Sequence, residues 1–316
     1  MRAFDALAAD YDASFTATPL GTLLREAVWR RLDARFSPGD RVLELACGTG
    51  EDAVHLARRG VRITATDASP AMVETALRKV AAAGLEGLVE VHQVDVEDLA
   101  ADPGKLTRMR SLPPPDLTPD PSPISHPTPG RGAPPPGPRE HEPDKLPPLP
   151  VEGWEMGEGG RGGEVFDGAF SDFGGLNCVA DLRAVAEALA LRLRPGAPVL
   201  LCMMGPFVPW EWAWYLGRGD LKRAFRRLRP GGVAWRGMTV RYPSIRSLRR
   251  AFAPEFRVLR TGAVGALLPP TYIKEWGERH PRLLAALARW ERRLERMPPL
   301  PWLADHYLIE LERRAA

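Results

Sequence analysis

Between Arg41 and Leu56 the chain reads RVLELACGTGEDAVHL, and no other stretch restricts the fold as much. Val42-Leu43-Glu44-Leu45-Ala46 is a short apolar run, the pattern of a strand buried on both faces. It breaks at Cys47-Gly48-Thr49-Gly50, where two glycines permit a sharp turn and close approach of the backbone to a ligand. Helical spacing follows at Ala53, Leu56 and Ala57, with Glu51 and Asp52 in the first turn, where a helix N-terminus favours negative charge. A strand, a glycine turn and a helix start in that order form a nucleotide-type site, which commits the surrounding chain to an α/β layered fold.

The neighbouring segments repeat the same alternation. Phe4, Leu7, Ala8 and Tyr11, then Leu20, Leu23, Leu24, Val28 and Leu32, predict a helical leader over residues 1–36. Strands are expected at 41–46, 61–66 (ending at Asp67) and 88–94 (ending at Asp95). Helices are expected over 52–59 and from Ser69-Pro70 to about residue 83, with proline at the first helical position. Strand, helix, strand, helix, strand argues for a parallel sheet covered on both faces. The pattern then fails. Much of the chain's unusual complement of 33 prolines falls between 101 and 163, in phrases such as LPPPDLTPDPSP and GRGAPPPGP. Such composition does not bury enough surface to fold alone, so 101–163 is expected to be a disordered insertion with polyproline character. Its PSP, GRG and GGRGGE phrases resemble translated repeat elements found inside some bacterial genes. A passive linker and a proline-rich docking segment both fit. Excising it joins VDVEDL to EVFDGAF through a connection of ordinary length.

Order resumes with a strand over 164–170, a helix over 179–193 and a strand over 197–204, so residues 1–100 and 164–316 are expected to form a single domain interrupted once. Residues 205–260 are rich in tryptophan and arginine. Trp210, Trp212, Trp214 and Tyr215 crowd one segment, and Arg223, Arg226 and Arg227 share a helical face. Ile245, Leu248 and Phe252 form an apolar stripe beside Arg246, Arg249 and Arg250. A strand is read from Phe256, then a helix over 281–297 with Leu283, Leu287, Trp290, Leu294 and Met297 on its apolar stripe. His306–Leu311 is expected as an antiparallel strand closing the sheet at its edge.

Bulk properties exclude several classes. Forty-three basic against 40 acidic residues leave a net charge of +3, which is no argument for nucleic acid. Cys47, Cys178 and Cys202 show no paired spacing, so neither a disulfide framework nor a metal site is expected. MRAFDALAADYDASF has acids where a signal peptide has an apolar core, and a cytoplasmic location is the expectation.

With ELACGTG after a strand and acids ending the next two, the chain resembles a class I S-adenosylmethionine-dependent methyltransferase. FDALAADYD, VLELACGTG, TATDASPAMV and FDGAFSDFGGLN are similar to the small-molecule branch that includes ubiquinone and menaquinone methylases. The likeness covers 1–100 and 164–204 well and 205–316 weakly. It implies a doubly wound, mostly parallel seven-stranded sheet with a helical leader and helical lid insertions, the lid lying within 205–300. It also implies S-adenosyl-L-methionine as cofactor. Gly48 and Gly50, with Ala46 and Cys47, would lie against its methionine and ribose parts. Asp67, beside Ala68 and Met72, would accept both ribose hydroxyls, and Asp95 and Val96 would hold the adenine. Glu44 resembles the first-motif acid near the amino group, and Tyr11 the leader tyrosine closing over the carboxylate. Ser171 and Asp172 fall where family members hold the amino end and face the acceptor. Plainer roles also fit: Asp67 as a helix cap, Tyr11 as leader packing, Cys47 as a small buried filler. The absent third glycine of a dinucleotide fingerprint counts against NAD.

The resemblance implies direct displacement of a methyl group from sulfonium, for which alignment matters most and a base is needed only if the acceptor loses a proton. His280 and His306 are the downstream candidates, and no catalytic residue is assigned. SDFGG after the fourth strand lacks the Pro-Pro-aromatic signature of amino-methylating enzymes. There is also no Pro-Cys pair and no paired-glutamate loop. A small-molecule or lipid-like acceptor is therefore expected, with nucleic acid unfavoured and no obligate protein partner evident. The Trp- and Arg-rich segment suits an aromatic acid, a polyprenyl-linked ring or an anionic membrane surface. It also suits RNA backbone, and equally a helical subdomain with a solvated basic face. Two other functions stay open: an RNA-associated methyltransferase or RNA-binding protein, and a non-catalytic S-adenosylmethionine-binding regulator.

Overall fold

The computed structural model describes residues 2–102, 165–271 and 279–315. The insertion expected over 101–163 falls, from residue 103 on, outside the described residues. The leader forms α1 (Arg2–Asp5), α2 (Ala8–Tyr11), a π-helical turn over Asp12–Thr16 and α3 (Pro19–Leu32). Thr18 caps α3, accepting from the Gly21 amide at 3.0 Å, and Pro19 opens the helix. Next come β1 (Arg41–Leu45), α4 (Glu51–Ala57), β2 (Arg62–Asp67), α5 (Pro70–Ala82), β3 (Val89–Gln93) and α6 (Val96–Ala101). Beyond the undescribed stretch lie β4 (Gly168–Ser171), α7 (Leu182–Arg192) and β5 (Pro198–Met204). Then follow α8 (Pro209–Leu216), α9 (Leu221–Ala224), a hairpin of β6 (Val233–Trp235) and β7 (Met238–Val240), α10 (Ile245–Phe252), β8 (Phe256–Val264), α11 (Pro281–Leu294) and β9 (His306–Arg313).

Seven strands make one sheet in the order β3-β2-β1-β4-β5-β9-β8. The first five are parallel, and β9 runs antiparallel to both its neighbours. The winding reverses between β1 and β4, and in such sheets ligands bind outside the strand ends at that reversal. Pleating sends Val42 into a core formed with α3, α4 and α5, and Leu43 and Leu45 into the opposite core formed with α7 and α10. Glu44 shares Val42's side of the strand, so the alternation that builds the core also drives a carboxylate towards α3 and α4.

Three expectations change. The last strand is antiparallel but not at the edge: β9 lies between β5 and β8. Tyr307, Leu308, Ile309 and Leu311 are all buried, and a strand apolar on both faces belongs inside a sheet. The edge strand is β8, which carries Arg257 and Arg260, a common guard against edge pairing. On α11 the packed stripe is Leu284, Leu287, Ala288 and Glu291 rather than the one read from sequence, because Leu283 (47% exposed) and Trp290 (55%) face outward. The lid is only partly helical, since residues 233–240 form a hairpin. Among the described residues no helix is long and apolar enough to cross a membrane.

Candidate active site

The ends of β1, β2, β4 and β5 open on a cavity of about 710 Å³. A smaller pocket beside it is lined by Tyr11, Arg25, Glu44, Ala46, Cys47, Gly48, Asp52 and Asp172 among others. Directly after β1 and β4 the chain takes left-handed backbone at non-glycine residues, Ala46 (φ 55°) and Phe173 (φ 47°). Such strain of about 1–3 kcal/mol per residue is kept where surrounding packing imposes it, commonly at functional sites.

Eleven of the thirteen residues expected to hold a cofactor line these two spaces: Tyr11, Glu44, Ala46, Cys47, Gly48, Asp67, Ala68, Met72, Asp95, Val96 and Asp172. Gly50 and Ser171 do not. A Cβ on Gly50 would come within 2.9 Å of the Ala76 Cβ, so this glycine lets α4 and α5 approach. Ser171 is buried as the last residue of β4. Around Gly48 (φ 55°) a Cβ would meet nothing within 4 Å, which leaves the turn open on its cavity side.

Asp67 is not the cap of α5; Ser69 is, accepting from the Met72 amide at 3.2 Å. The Asp67 carboxylate instead accepts from the amides of Gly48 (2.9 Å) and Ser69 (2.8 Å), one per oxygen. It is thereby fixed at the cavity wall with a further lone pair on each oxygen. Burial raises its pKa, opposed by those amide bonds. Asp95 caps α6 by accepting from the Glu97 amide at 2.9 Å.

The small pocket is unbalanced in charge. Arg25 donates to Asp52 at 2.5 Å, and Trp29 Nε1 donates to the other Asp52 oxygen at 2.6 Å. Although burial opposes the Arg25 charge, Asp52 outweighs it and raises its pKa. Glu44 Oε2 and both Asp172 oxygens are buried with no hydrogen-bond partner. Burial, then the neighbouring acids, pushes the Glu44 and Asp172 carboxyls well above their ordinary range. With Glu51 on the same wall already paired to Lys79, Glu44, Asp52 and Asp172 are left with the single guanidinium of Arg25, an arrangement suited to a ligand with a cationic head. Tyr11, whose phenol desolvation pushes up to about 12, closes the pocket from the leader. The leader is fastened to the glycine turn: Thr49 donates to Asp12 at 2.7 Å, and Lys79 bridges Asp12 and Glu51 at 2.7 Å each.

At the far end the cavity is apolar, with Phe4, Leu7, Phe15, Phe173, Met204, Val233, Trp235, Met238 and Val240 on its walls. Phe4 of the leader meets Trp235 of the hairpin, ring centroids 5.7 Å apart. Arg227 is buried against Glu211 (2.7 Å) and Asp305 (2.6 Å), and also donates to the carbonyls of Gly205 and Asp305. Arg226 pairs with Glu211 at 2.7 Å. Burial would raise the Asp305 carboxyl, yet Arg227, and then His306, hold it far below its usual range. His306 Nδ1 lies 3.2 Å from Asp305 Oδ2, and its ring lines the cavity.

Comparison with known proteins agrees with this geometry. Residues 42–112 match the family described as methyltransferase domain. Within that match lie β1, the glycine turn, α4, β2 with its terminal acid, and β3 with the acid that follows it. The chain is 33% identical over 102 residues to the ubiquinone/menaquinone biosynthesis C-methyltransferase UbiE of Geotalea daltonii, covering 30% of this chain and 42% of that protein. It is 33% identical over 66 residues to the 23S rRNA (uracil(1939)-C(5))-methyltransferase RlmD of Azoarcus sp., covering 21% of this chain and 15% of that protein. The chain therefore spans less than half the length of these curated relatives. Among solved structures, the DhpI–SAH complex aligns with 99% of this chain and 94% of its own at 20% identity and a TM-score of 0.48.

Several residues of this site escaped the sequence reading. Arg25 borders the apolar stripe of α3, where helical spacing predicts solvent. Asp52 reads as a first-turn acid, yet it is the buried partner of Arg25 and Trp29. The crowded Trp210, Trp212 and Trp214 do not line the cavity; Trp212 packs on Phe225 (5.9 Å) and Trp210 donates to the Leu267 carbonyl (3.2 Å). Nor do Arg226 and Arg227 form a solvated basic face, because Glu211 and Asp305 neutralise them internally.

Proposed function

We propose that the chain transfers the methyl group of S-adenosylmethionine to a small, largely apolar acceptor. One observation carries the reading: a single cavity joins Gly48, Asp67, Asp95 and Val96 to the apolar chamber under the hairpin. S-adenosylmethionine, when bound, supplies a methyl group on a cationic sulfur already activated towards nucleophiles. The residues present fit it. Glu44 and Asp172, whose buried oxygens lack partners, would accept from its ammonium group. Arg25 and Tyr11 would face its carboxylate end, Asp67 would accept from the ribose, and Asp95 with Val96 would border the adenine. Leader and hairpin exclude water and hold the acceptor in line, the main requirement for a displacement of this type. His306 is placed to take a proton from an acceptor that must lose one; His280, exposed before α11, is not.

UbiE and the demethylmenaquinone methyltransferases are, by their names, enzymes of quinone biosynthesis, and the apolar chamber is consistent with an acceptor of that kind. The RNA reading has less support, since the RlmD likeness covers 15% of that protein and Arg226 and Arg227 are turned inward. Incubation with S-adenosylmethionine and fractionated cell extract, read by mass spectrometry, tests the proposal. One apolar metabolite should gain a CH2. Tight cofactor binding with no methylated product in any fraction would instead leave a non-catalytic binding protein.

A further inference from the structure

In sequence, α11 and the turn after it carry mixed charge: Arg282, Arg289, Arg292, Arg293 and Arg296 against Glu291 and Glu295. The structure separates the two signs. Glu291 is buried and accepts from the amides of Gly265 (2.5 Å), Leu267 (2.8 Å) and Leu268 (3.3 Å). Glu295 turns inward to Arg31 (2.9 Å) and Arg30 (3.4 Å). What remains outside is cationic only. Arg282, Arg289 and Arg293 are exposed, and none pairs with an acid among the described residues. Beside them runs an exposed apolar seam: Leu283 (47% exposed), Trp290 (55%) and, just past the helix, Met297 (54%), spaced seven residues apart. The Arg293 guanidinium lies 5.6 Å from the Trp290 ring.

A tryptophan and two long apolar side chains standing every second turn along the outward side make a continuous seam rather than scattered exposures. A helix packed on another protein surface would leave the arginines short of acids. The two features are needed together where an apolar interior lies under a negatively charged surface. A second copy of the same face would bring arginine onto arginine, and RNA backbone has no use for Leu283 and Met297.

We infer that the outer face of α11 docks on an anionic phospholipid bilayer, with Trp290 and Leu283 entering the headgroup layer and Arg282, Arg289 and Arg293 over the phosphates. The sequence placed a possible membrane contact in 205–260; the structure moves it to 282–297. This surface is independent of the methyl-transfer reading, and its test involves no turnover.

The test is flotation of the full chain with vesicles of phosphatidylcholine alone or of equal parts phosphatidylcholine and phosphatidylglycerol. Binding is expected on the mixed vesicles only, falling as salt is raised. Each arginine near such a surface contributes about fivefold, so Arg289→Gln with Arg293→Gln should lower partitioning about thirtyfold. Brominated lipids should quench part of the tryptophan emission, and Trp290→Phe should abolish that part. All three side chains are exposed, so the variants' melting curves should match the parent's and a fold defect would be seen separately. Absence of binding to mixed vesicles would overturn the inference. So would salt-independent binding to both vesicle types, or quenching unchanged in Trp290→Phe. Retention on RNA, on an acidic protein or as a dimer, without vesicle binding, would overturn it as well.

Discussion

Each end of the cavity is built on a buried arginine, and the two are finished differently. Arg227 is closed: with Arg226 it faces Glu211 and Asp305, two cations against two acids, and its remaining donors reach carbonyls. Arg25 is open: it pairs with Asp52, while Glu44 and Asp172 stand in the same pocket with unpartnered oxygens. A protein stabilising only itself has no reason to bury surplus carboxyls, since their desolvation is uncompensated. The closed site is a brace that pins α8, the lid and the start of β9. The open site has the shape of a receptor missing its cation.

The sharpest way to break this contrast is to remove the brace. Arg227→Met would leave Asp305 buried without its guanidinium, at a cost of about 3–5 kcal/mol. A urea titration should show that loss, and an unchanged midpoint would mean the brace is not one. Next in size is Asp67→Ala. Two amide bonds and the proposed ribose acceptor would be lost together, and S-adenosylmethionine affinity measured by calorimetry should fall about a hundredfold. Unchanged affinity would remove Asp67 from the ribose.

Asp172→Asn tests the open end directly and should act in opposite senses on its two readouts. Cofactor affinity should fall about tenfold, because a charge-assisted acceptor for the ammonium is lost. Stability should not fall. The folded Asp172 carboxyl is raised by burial and Asp52, so its contribution is fully present below its unfolded pKa of about 4 and lost as pH rises through the higher folded value. The variant's melting advantage should therefore be absent at low pH and grow above about pH 4. Linkage also fixes the pH dependence of binding. Burial raises both the Glu44 and the Asp172 carboxyl, so a proton held there would be released if an ammonium group bound between them, and affinity should rise with pH across their raised range. Calorimetry in buffers of different ionisation enthalpy should detect the released proton, and Asp172→Asn should release less. A slope of the opposite sign would exclude these two carboxyls as the ammonium site.

The same contrast explains what was legible beforehand. The strand alternation, the glycine turn and the acids ending β2 and following β3 are local patterns, and the sheet places them as the sequence implies. Charge partners are not local. Arg25 and Asp52 meet across 27 positions and Arg227 and Asp305 across 78, and neither spacing leaves a trace in either segment. Composition over 205–260 therefore suggested a basic exterior, which Arg223, Arg246, Arg249 and Arg250 do supply, whereas Arg226 and Arg227 serve as struts to Glu211 and Asp305. On α11 the expected stripe of Leu283, Leu287, Trp290, Leu294 and Met297 is displaced, because three backbone amides draw Glu291 inward and leave Leu283 and Trp290 outside. A helical wheel assigns faces by polarity, and a buried acid satisfied by amides inverts the assignment.

The smallest expected effect belongs to a deletion. Residues 103–164 connect two anchors that hold without them. On one side Arg192 donates to the carbonyls of Leu99 (3.0 Å) and Asp102 (3.2 Å), tying the end of α6 to α7. On the other, Phe166 is buried and bridges to Leu193, immediately before β4 pairs with β1. A proline- and glycine-rich connection of this length adds to the closure entropy only logarithmically, so joining 102 to 165 through a short glycine linker should change that cost by about 1–2 kcal/mol at most, in the stabilising direction. Calorimetric melting of the deleted chain should match or slightly exceed the parent midpoint, with S-adenosylmethionine affinity unchanged. A lower midpoint or a broadened transition would show that the segment packs on the domain, and the reading of 101–163 as an unpacked insertion would fail.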